Sequence, residues 1–258
     1  MKAFRKLNKT LSPEFAAKFS EFMGDAVQKR LSNLTEAEIK SCHKDQIDNV
    51  VADLEKILLV GMERAESSKR AELTFLNVGL RYLKSQQLEK RIRGLQDIRT
   101  MIDRVWKTKL LPSMRHSYHQ NWDVLFDSDL DFQKLAVTQY LTPDLIAEWL
   151  TENKVFDTIF GESAHLEIVR RANVLLMFMA RHNNGNLDQS IIDLTWKCQD
   201  GRKHDEMVRT VYCLIEQMLP DLSSEVFDIY FSKMQSETKF DEKFLIFLKN
   251  FTVHALNK

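Results

Sequence analysis

The sequence predicts an all-α fold, a stack of antiparallel helices whose repeats are irregular. Three observations predict it. Apolar residues recur at spacings of three and four, the mark of one buried side on a 3.6-residue helix. Glycine and proline are scarce, seven and four in 258 residues, and a fold of many strands and tight hairpins needs more of both. Finally, helical stretches of about 12 to 22 residues alternate with short polar turns, among them RHNNGN and CQDGRK.

The first element opens at Ser12-Pro13-Glu14, where the serine hydroxyl accepts from an orphan backbone N–H and the missing proline donor costs nothing. Thr35 and Glu38 form a capping box ahead of a helix expected from the Lys44 region to about Arg64. In AELTFLNVGLRYLKS, residues Leu73, Leu76, Leu80 and Leu83 share a face. The strongest pattern is LEKRIRGLQDIRTMIDRVW, with Leu88, Ile92, Leu95, Ile98, Ile102 and Val105 on one line. Arg91 and Arg93 are placed off that line. Thr142-Pro143 starts a further helix, and HLEIVRRANVLLMFMARH reads as another, with Ile168, Ala172, Leu175 and Met179 inward. Asn186 with Gln189 gives a third capping signal, and the last helices are expected over roughly 203–217, 222–234 and 240–255.

Helical periodicity is lost in SYHQNWDVLFDSDLD, residues 117–131, which reads as a long loop. Residues 1–66 are expected as N-terminal helices and 67–258 as a continuous helical array. Alternating helices and short turns are how armadillo and HEAT arrays read, at roughly 40 residues per unit. The expected architecture is therefore an armadillo/HEAT-like α-solenoid, with a single irregular bundle as the alternative.

Thirty-seven basic residues balance thirty-seven acidic ones, so no net field draws the whole chain to nucleic acid, an anionic membrane or acidic substrates. Three cysteines in unrelated settings, Cys42, Cys198 and Cys213, argue against a disulfide framework and suit a reducing compartment. No stretch approaches the roughly 18 apolar residues of a membrane span, and the amino terminus lacks the apolar run of a secretory signal. The expected location is the cytoplasm, with the nucleus as alternative.

Candidate chemistry is sparse. Asp127, Asp129 and Asp131 match the start of a calcium loop, but Phe132 and Thr138 stand where it needs glycine and a bidentate glutamate. His116 and His119 lack a third ligand, and Cys198 with His204 lacks a second thiol. Cys213 sits among apolar helix neighbours and reads as packing, while Cys42 and His43 are adjacent and so point apart. No glycine-rich phosphate loop occurs, and no cofactor, metal or small molecule is expected. The remaining signal is basic: Arg91, Arg93 and Arg99, with Lys90, Arg104, Lys107 and Lys109, form a stripe suited to an acidic protein patch. Interleaved Glu89, Asp97 and Asp103 weaken it as a nucleic-acid surface.

Four blocks in order carry a resemblance: LTFLNVGLRYLKSQQLEKRIRGLQDI, IAEWLTENKVFDTIFG, AHLEIVRRANVLLMFMARH and DLTWKCQDGRKHDEMVRTVYCLIEQML. Across about residues 70–220 the chain resembles the non-catalytic region of the giant ubiquitin-specific proteases, the fat-facets type and relatives. The resemblance implies an armadillo-like array preceding a thiol protease domain that removes ubiquitin. That domain marks its nucleophile with a Thr-Cys pair and its base with a histidine box, whereas here Cys42 follows Ser41, Cys198 follows Lys197 and Cys213 follows Tyr212. The resemblance thus implies a protein-interaction scaffold of the ubiquitin pathway, with no catalytic residue carried over. Two alternatives stay open: part of an active cysteine deubiquitinase whose catalytic domain lies outside this chain, and a stand-alone adaptor or nucleic-acid-binding array.

Overall fold

The computed structural model describes residues 11–106, 140–199, 205–237 and 240–256. Among these residues every regular element is helical, as the three-and-four spacing requires, and no strand forms. The expected loop at 117–131 lies outside the described residues, as do Asp127, Asp129, Asp131, His116, His119, His204, Lys107 and Lys109. The chain divides into two compact units, Met1–Thr142 and Pro143–Lys258. The boundary expected between residues 66 and 67 falls inside a helix of the first unit.

That unit contains α1 (Pro13–Ser32), α2 (Glu36–Ser41), α3 (Lys44–Leu58), α4 (Arg64–Leu83) and α5 (Leu88–Val105). Helix α1 starts as expected, with Ser12 Oγ accepting from the Phe15 N–H at 3.4 Å. The capping box of Thr35 and Glu38 is present, but it opens the short helix α2 rather than the helix beyond Lys44. Helix α3 also stops six residues before Arg64, which instead begins α4. The physical reason is tertiary: Gly61 lies against the Ala17 backbone, so α1 occupies the space a longer α3 would need. Leu31, Leu34, Ile39, Ile47, Val51, Val78 and Tyr82 close one core around these helices. Glu36 accepts from Ser85 Oγ at 2.7 Å and the Gln86 N–H at 3.1 Å, tying α2 to the α4–α5 turn. The backbone N–H groups of Tyr140 and Leu141 donate to the Glu72 carboxylate at 3.2 and 2.9 Å. Burial pushes that carboxyl up from its ordinary range, against the pull of the two N–H groups.

The second unit contains α6 (Pro143–Glu152), α7 (Val155–Phe160), α8 (Leu166–Val169), α9 (Asn173–His182), α10 (Gln189–Lys197), α11 (Asp205–Met218), α12 (Ser224–Gln235) and α13 (Glu242–Leu256). The single helix expected over HLEIVRRANVLLMFMARH is thus two. Arg171 turns its side chain back, Nη1 to the Glu167 carbonyl at 2.8 Å, and takes the acceptor that a continuing helix would give to its own N–H. Ile168, Ala172, Leu175 and Met179 are buried as expected, yet so is every residue from Val174 to Ala180. A short helix apolar all round is a central one, and α9 fills that place in its unit.

Helix α9 ends in a polar turn where Gly185 takes φ 88° and its N–H reaches the Ala180 carbonyl at 2.7 Å. Arg181 Nε pairs with Asp221 at 2.7 Å, and the Ser223 N–H bonds the Gly185 carbonyl at 2.8 Å. The third capping signal is corrected: Asp188 caps α10 through the Ser190 N–H at 2.7 Å. Asn186 instead accepts from Ser223 Oγ at 2.6 Å. Trp196 packs against Tyr212, Tyr230 and Phe247, and the Tyr212 ring stacks on Phe247 at 4.4 Å.

Candidate functional site

Helices α4 and α5 form an antiparallel hairpin joined by residues 84–87, and they touch through glycines. A methyl group on Gly79 would meet the Gly94 carbonyl at 3.3 Å, and one on Gly94 would lie 2.8 Å from the Tyr82 carbonyl carbon. With the backbones this close, α5 is buried over a wide arc. Leu95, Ile98, Ile102 and Val105 are buried as the spacing predicts, while Leu88 and Ile92 are half-buried. Gly94, Asp97 and Met101 add a second buried line at three- and four-residue spacing.

Burying Asp97 brings charge into the hairpin. Its carboxylate meets Lys44 Nζ of α3 at 3.0 Å and Arg93 Nε of its own helix at 3.6 Å. Asp48 of α3 completes the group, paired with Lys44 and 4.0 Å from the Arg93 guanidinium. Two cations and two carboxylates therefore alternate, with Lys44 and Asp97 on the inside at 10% and 7% side-chain exposure and Arg93 outside at 53%. Burial raises the Asp97 carboxyl, and Lys44 and Arg93 oppose that rise. Beneath them, Lys44 Nζ stands 5.1 Å from the Phe75 ring centre and 5.5 Å from that of Tyr82. Lys90 Nζ approaches the Tyr82 ring at 5.7 Å and donates to the Cys42 carbonyl at 3.4 Å. Burial pushes the Tyr82 phenol up to about 12.

The three arginines of the basic stripe do not share a face. Arg93 is the exposed one. Arg91, placed off the apolar line by the sequence reading, stands four residues before Leu95 and seven before Ile98, which is the buried line itself. It is half-buried, and burial lowers its pKa. Arg99, roughly 120° around the helix from Arg93, is half-buried as well. Lys44 went unnoticed in the sequence because its partners come from another helix. The spacing of Gly94, Asp97 and Met101 was the signal that could have found the buried carboxylate.

The three cysteines lie in three different settings. Cys213 is exposed rather than packed, and desolvation with Glu216 nearby raises its thiol pKa. Cys198 is buried with its Sγ 4.0 Å from Met207 Sδ, and Cys42 is half-buried at the end of α2. Among the described residues no three metal-ligating side chains converge, and no helix is long and apolar enough to cross a membrane.

Comparison with known proteins interprets this helical array. The sequence model described as UBP24/USP9X/USP9Y ARM repeat matches residues 69–245, from early α4 into α13. The chain belongs to this ARM repeat family. Similar proteins include the probable ubiquitin carboxyl-terminal hydrolase FAF of Drosophila melanogaster, 24% identical over 247 residues, which are 92% of this chain and 8% of that protein. Ubiquitin carboxyl-terminal hydrolase puf of the same organism is 35% identical over 78 residues, 30% of this chain and 2% of its own. Human ubiquitin carboxyl-terminal hydrolase 34 is 27% identical over 121 residues, 47% of this chain and 3% of its own. The chain thus spans less than a tenth of the length of these relatives. No solved structure matches it. The ARM repeat assignment agrees with the helical fold, the α4–α5 hairpin being one of its closely packed helix pairs.

Proposed function

We propose that this ARM repeat region is a non-catalytic scaffold that holds protein partners in the course of ubiquitin removal. The observation that carries the reading is the continuous ARM repeat match over 69–245 in a chain whose relatives bear the names of ubiquitin hydrolases. Stacked helices offer an extended surface for partners. The contact surface on α5 centres on the exposed Arg93 alone and takes an acidic protein patch. Asp48 and Asp97 already neutralise part of Arg93, which disfavours nucleic acid, since phosphate binding gains from uncompensated cations.

Two measurements test this. A ubiquitin-derived thiol-reactive probe leaves chain 1–258 unlabelled; labelling that disappears in Cys42→Ser would make the chain an enzyme. In cells, proximity labelling from the intact chain recovers ubiquitin-pathway proteins, and Arg93→Glu loses those with acidic surfaces. An unchanged set removes the α5 surface from the proposal. A second reading rests on the length of the relatives: the same region serves a cysteine deubiquitinase whose catalytic domain lies outside this chain, and positions its substrates.

A further inference from the structure

Helix α1 carries a second apolar line besides the one that packs inward. Ala16, Ser20 and Gly24 are buried in the first unit, where Ser20 Oγ donates to the Ile57 carbonyl and Gly24 lies against the Leu58 side chain. Roughly 130° around the helix stand Phe15, Phe19, Phe22 and Ala26, at spacings of four, three and four. Phe15 is 54% and Phe22 67% exposed, Ala26 is exposed as well, and Phe19 is half-buried. The Phe15 and Phe19 rings stack nearly parallel with centres 6.2 Å apart, so they form one continuous apolar ridge. Alternating four and three averages 3.5 residues, the seam of a coiled coil rather than the broader stripe a helix turns to a globular core. An accessible apolar ridge with charged flanks marks an interaction surface.

We propose that this ridge joins two copies of the chain, with their α1 helices antiparallel about a twofold axis. The ridge is complementary to itself in that arrangement. When Phe19 of each copy sits opposite Phe22 of the other, Phe15 comes opposite Ala26, a large side chain against a small one. The same register brings Lys18 of each copy beside Asp25 of the other, because the two lie on one flank of the ridge, each one residue before a seam position. Lys18 pairs with Glu14 of its own helix at 2.8 Å and Asp25 with Arg70 of α4, and both keep most of their side chains exposed for a second partner. A parallel pair would set Ala26 on Ala26 and leave the seam open at that end. Lys29 stands at the next seam position, so the ridge ends after four residues and the area it can bury is small. The dimer is therefore weak and reversible rather than obligate. Its surface lies outside the 69–245 repeat match and is independent of the scaffold reading.

Sedimentation velocity of chain 1–258 from micromolar to millimolar concentration measures the association, and monomer and dimer are expected to exchange over that range. Phe15→Ser/Phe22→Ser should weaken the dimer by roughly tenfold or more. Lys18→Glu, which faces the other copy's Asp25, should weaken it severalfold, and Lys18→Glu/Asp25→Lys should recover the loss. Circular dichroism confirms that the variants fold. Orientation is read on the unaltered chain, from an equal mixture of isotope-labelled and unlabelled protein treated with a carbodiimide, which condenses a touching amine and carboxylate into an amide with loss of water. Mass spectrometry is expected to find Lys18 of one copy joined to Asp25 of the other. A chain that stays monomeric throughout would overturn the proposal. So would a dimer that Phe15→Ser/Phe22→Ser leaves intact, or one whose cross-links between copies exclude the Lys18 and Asp25 pair.

Discussion

Gly94 faces the carbonyl oxygen of Gly79 across the α4–α5 hairpin with no room for a methyl group between them. Alanine is the better helix former by about 1 kcal/mol, so a purely local view makes Gly94→Ala stabilising. The neighbours a methyl would strike are backbone atoms of Gly79, Tyr82 and Leu83, which cannot rotate away. The variant is expected to lose about 1–3 kcal/mol net, the usual cost of overpacking. Urea denaturation decides the sign, and a gain in stability would mean the helices lie further apart than described.

Leu95 is 1% exposed within the same hairpin. Leu95→Ala should cost roughly 2–5 kcal/mol through lost burial and the cavity left behind. Arg93→Glu exchanges a half-exposed cation for a third carboxylate beside Asp48 and Asp97, and should cost less, on the order of 1 kcal/mol. Denaturation midpoints of the two variants beside the parent check the order. Its reversal would show the buried and exposed faces of α5 exchanged.

Lys44 is the inner counter-ion of Asp97. Lys44→Met would leave a buried carboxylate without that partner, at a cost of roughly 3–5 kcal/mol at neutral pH. The pH dependence has a definite sign. Burial already raises the folded-state pKa of Asp97 above its unfolded value, and losing Lys44 raises it further. A raised carboxyl binds its proton more tightly in the folded state, so its contribution to stability is present below the unfolded pKa and is lost as pH rises through the folded one. The deficit of Lys44→Met against the parent should therefore shrink as the solution is acidified. A deficit that grows in acid would rule out Asp97 as its source.

Cys213 is exposed, yet burial of its sulfur and the neighbouring Glu216 raise its pKa. Exposure alone predicts fast alkylation, whereas a scarce thiolate predicts slow reaction at neutral pH that accelerates as pH rises. Mass spectrometry after iodoacetamide treatment is expected to find Cys213 modified more slowly than free glutathione. Faster modification would reveal an activating partner.

The sequence by itself determined the helical class, most helix starts and the principal buried line of α5. Each of those depends on residues within one or two turns of each other: the Ser12 cap, the Pro143 start, the spacing from Leu95 to Val105. Tertiary structure decided what depends on residues far apart in the chain. Helix α3 stops short of Gly61, which lies against the Ala17 backbone of α1, and Asn186 gives up capping because Ser223 is within reach. Arg171 splits one apparent helix by competing for the Glu167 carbonyl, a choice between side chain and backbone that periodicity does not register. The candidate surfaces were legible only in part. Three arginines near one another in sequence look like one stripe, but the close Gly79 and Gly94 contact draws Arg91 toward the interior and leaves Arg93 outside. Asp97 reads as a solvated charge until Lys44 arrives from another helix, because the field that makes a buried carboxylate tolerable is supplied across the fold.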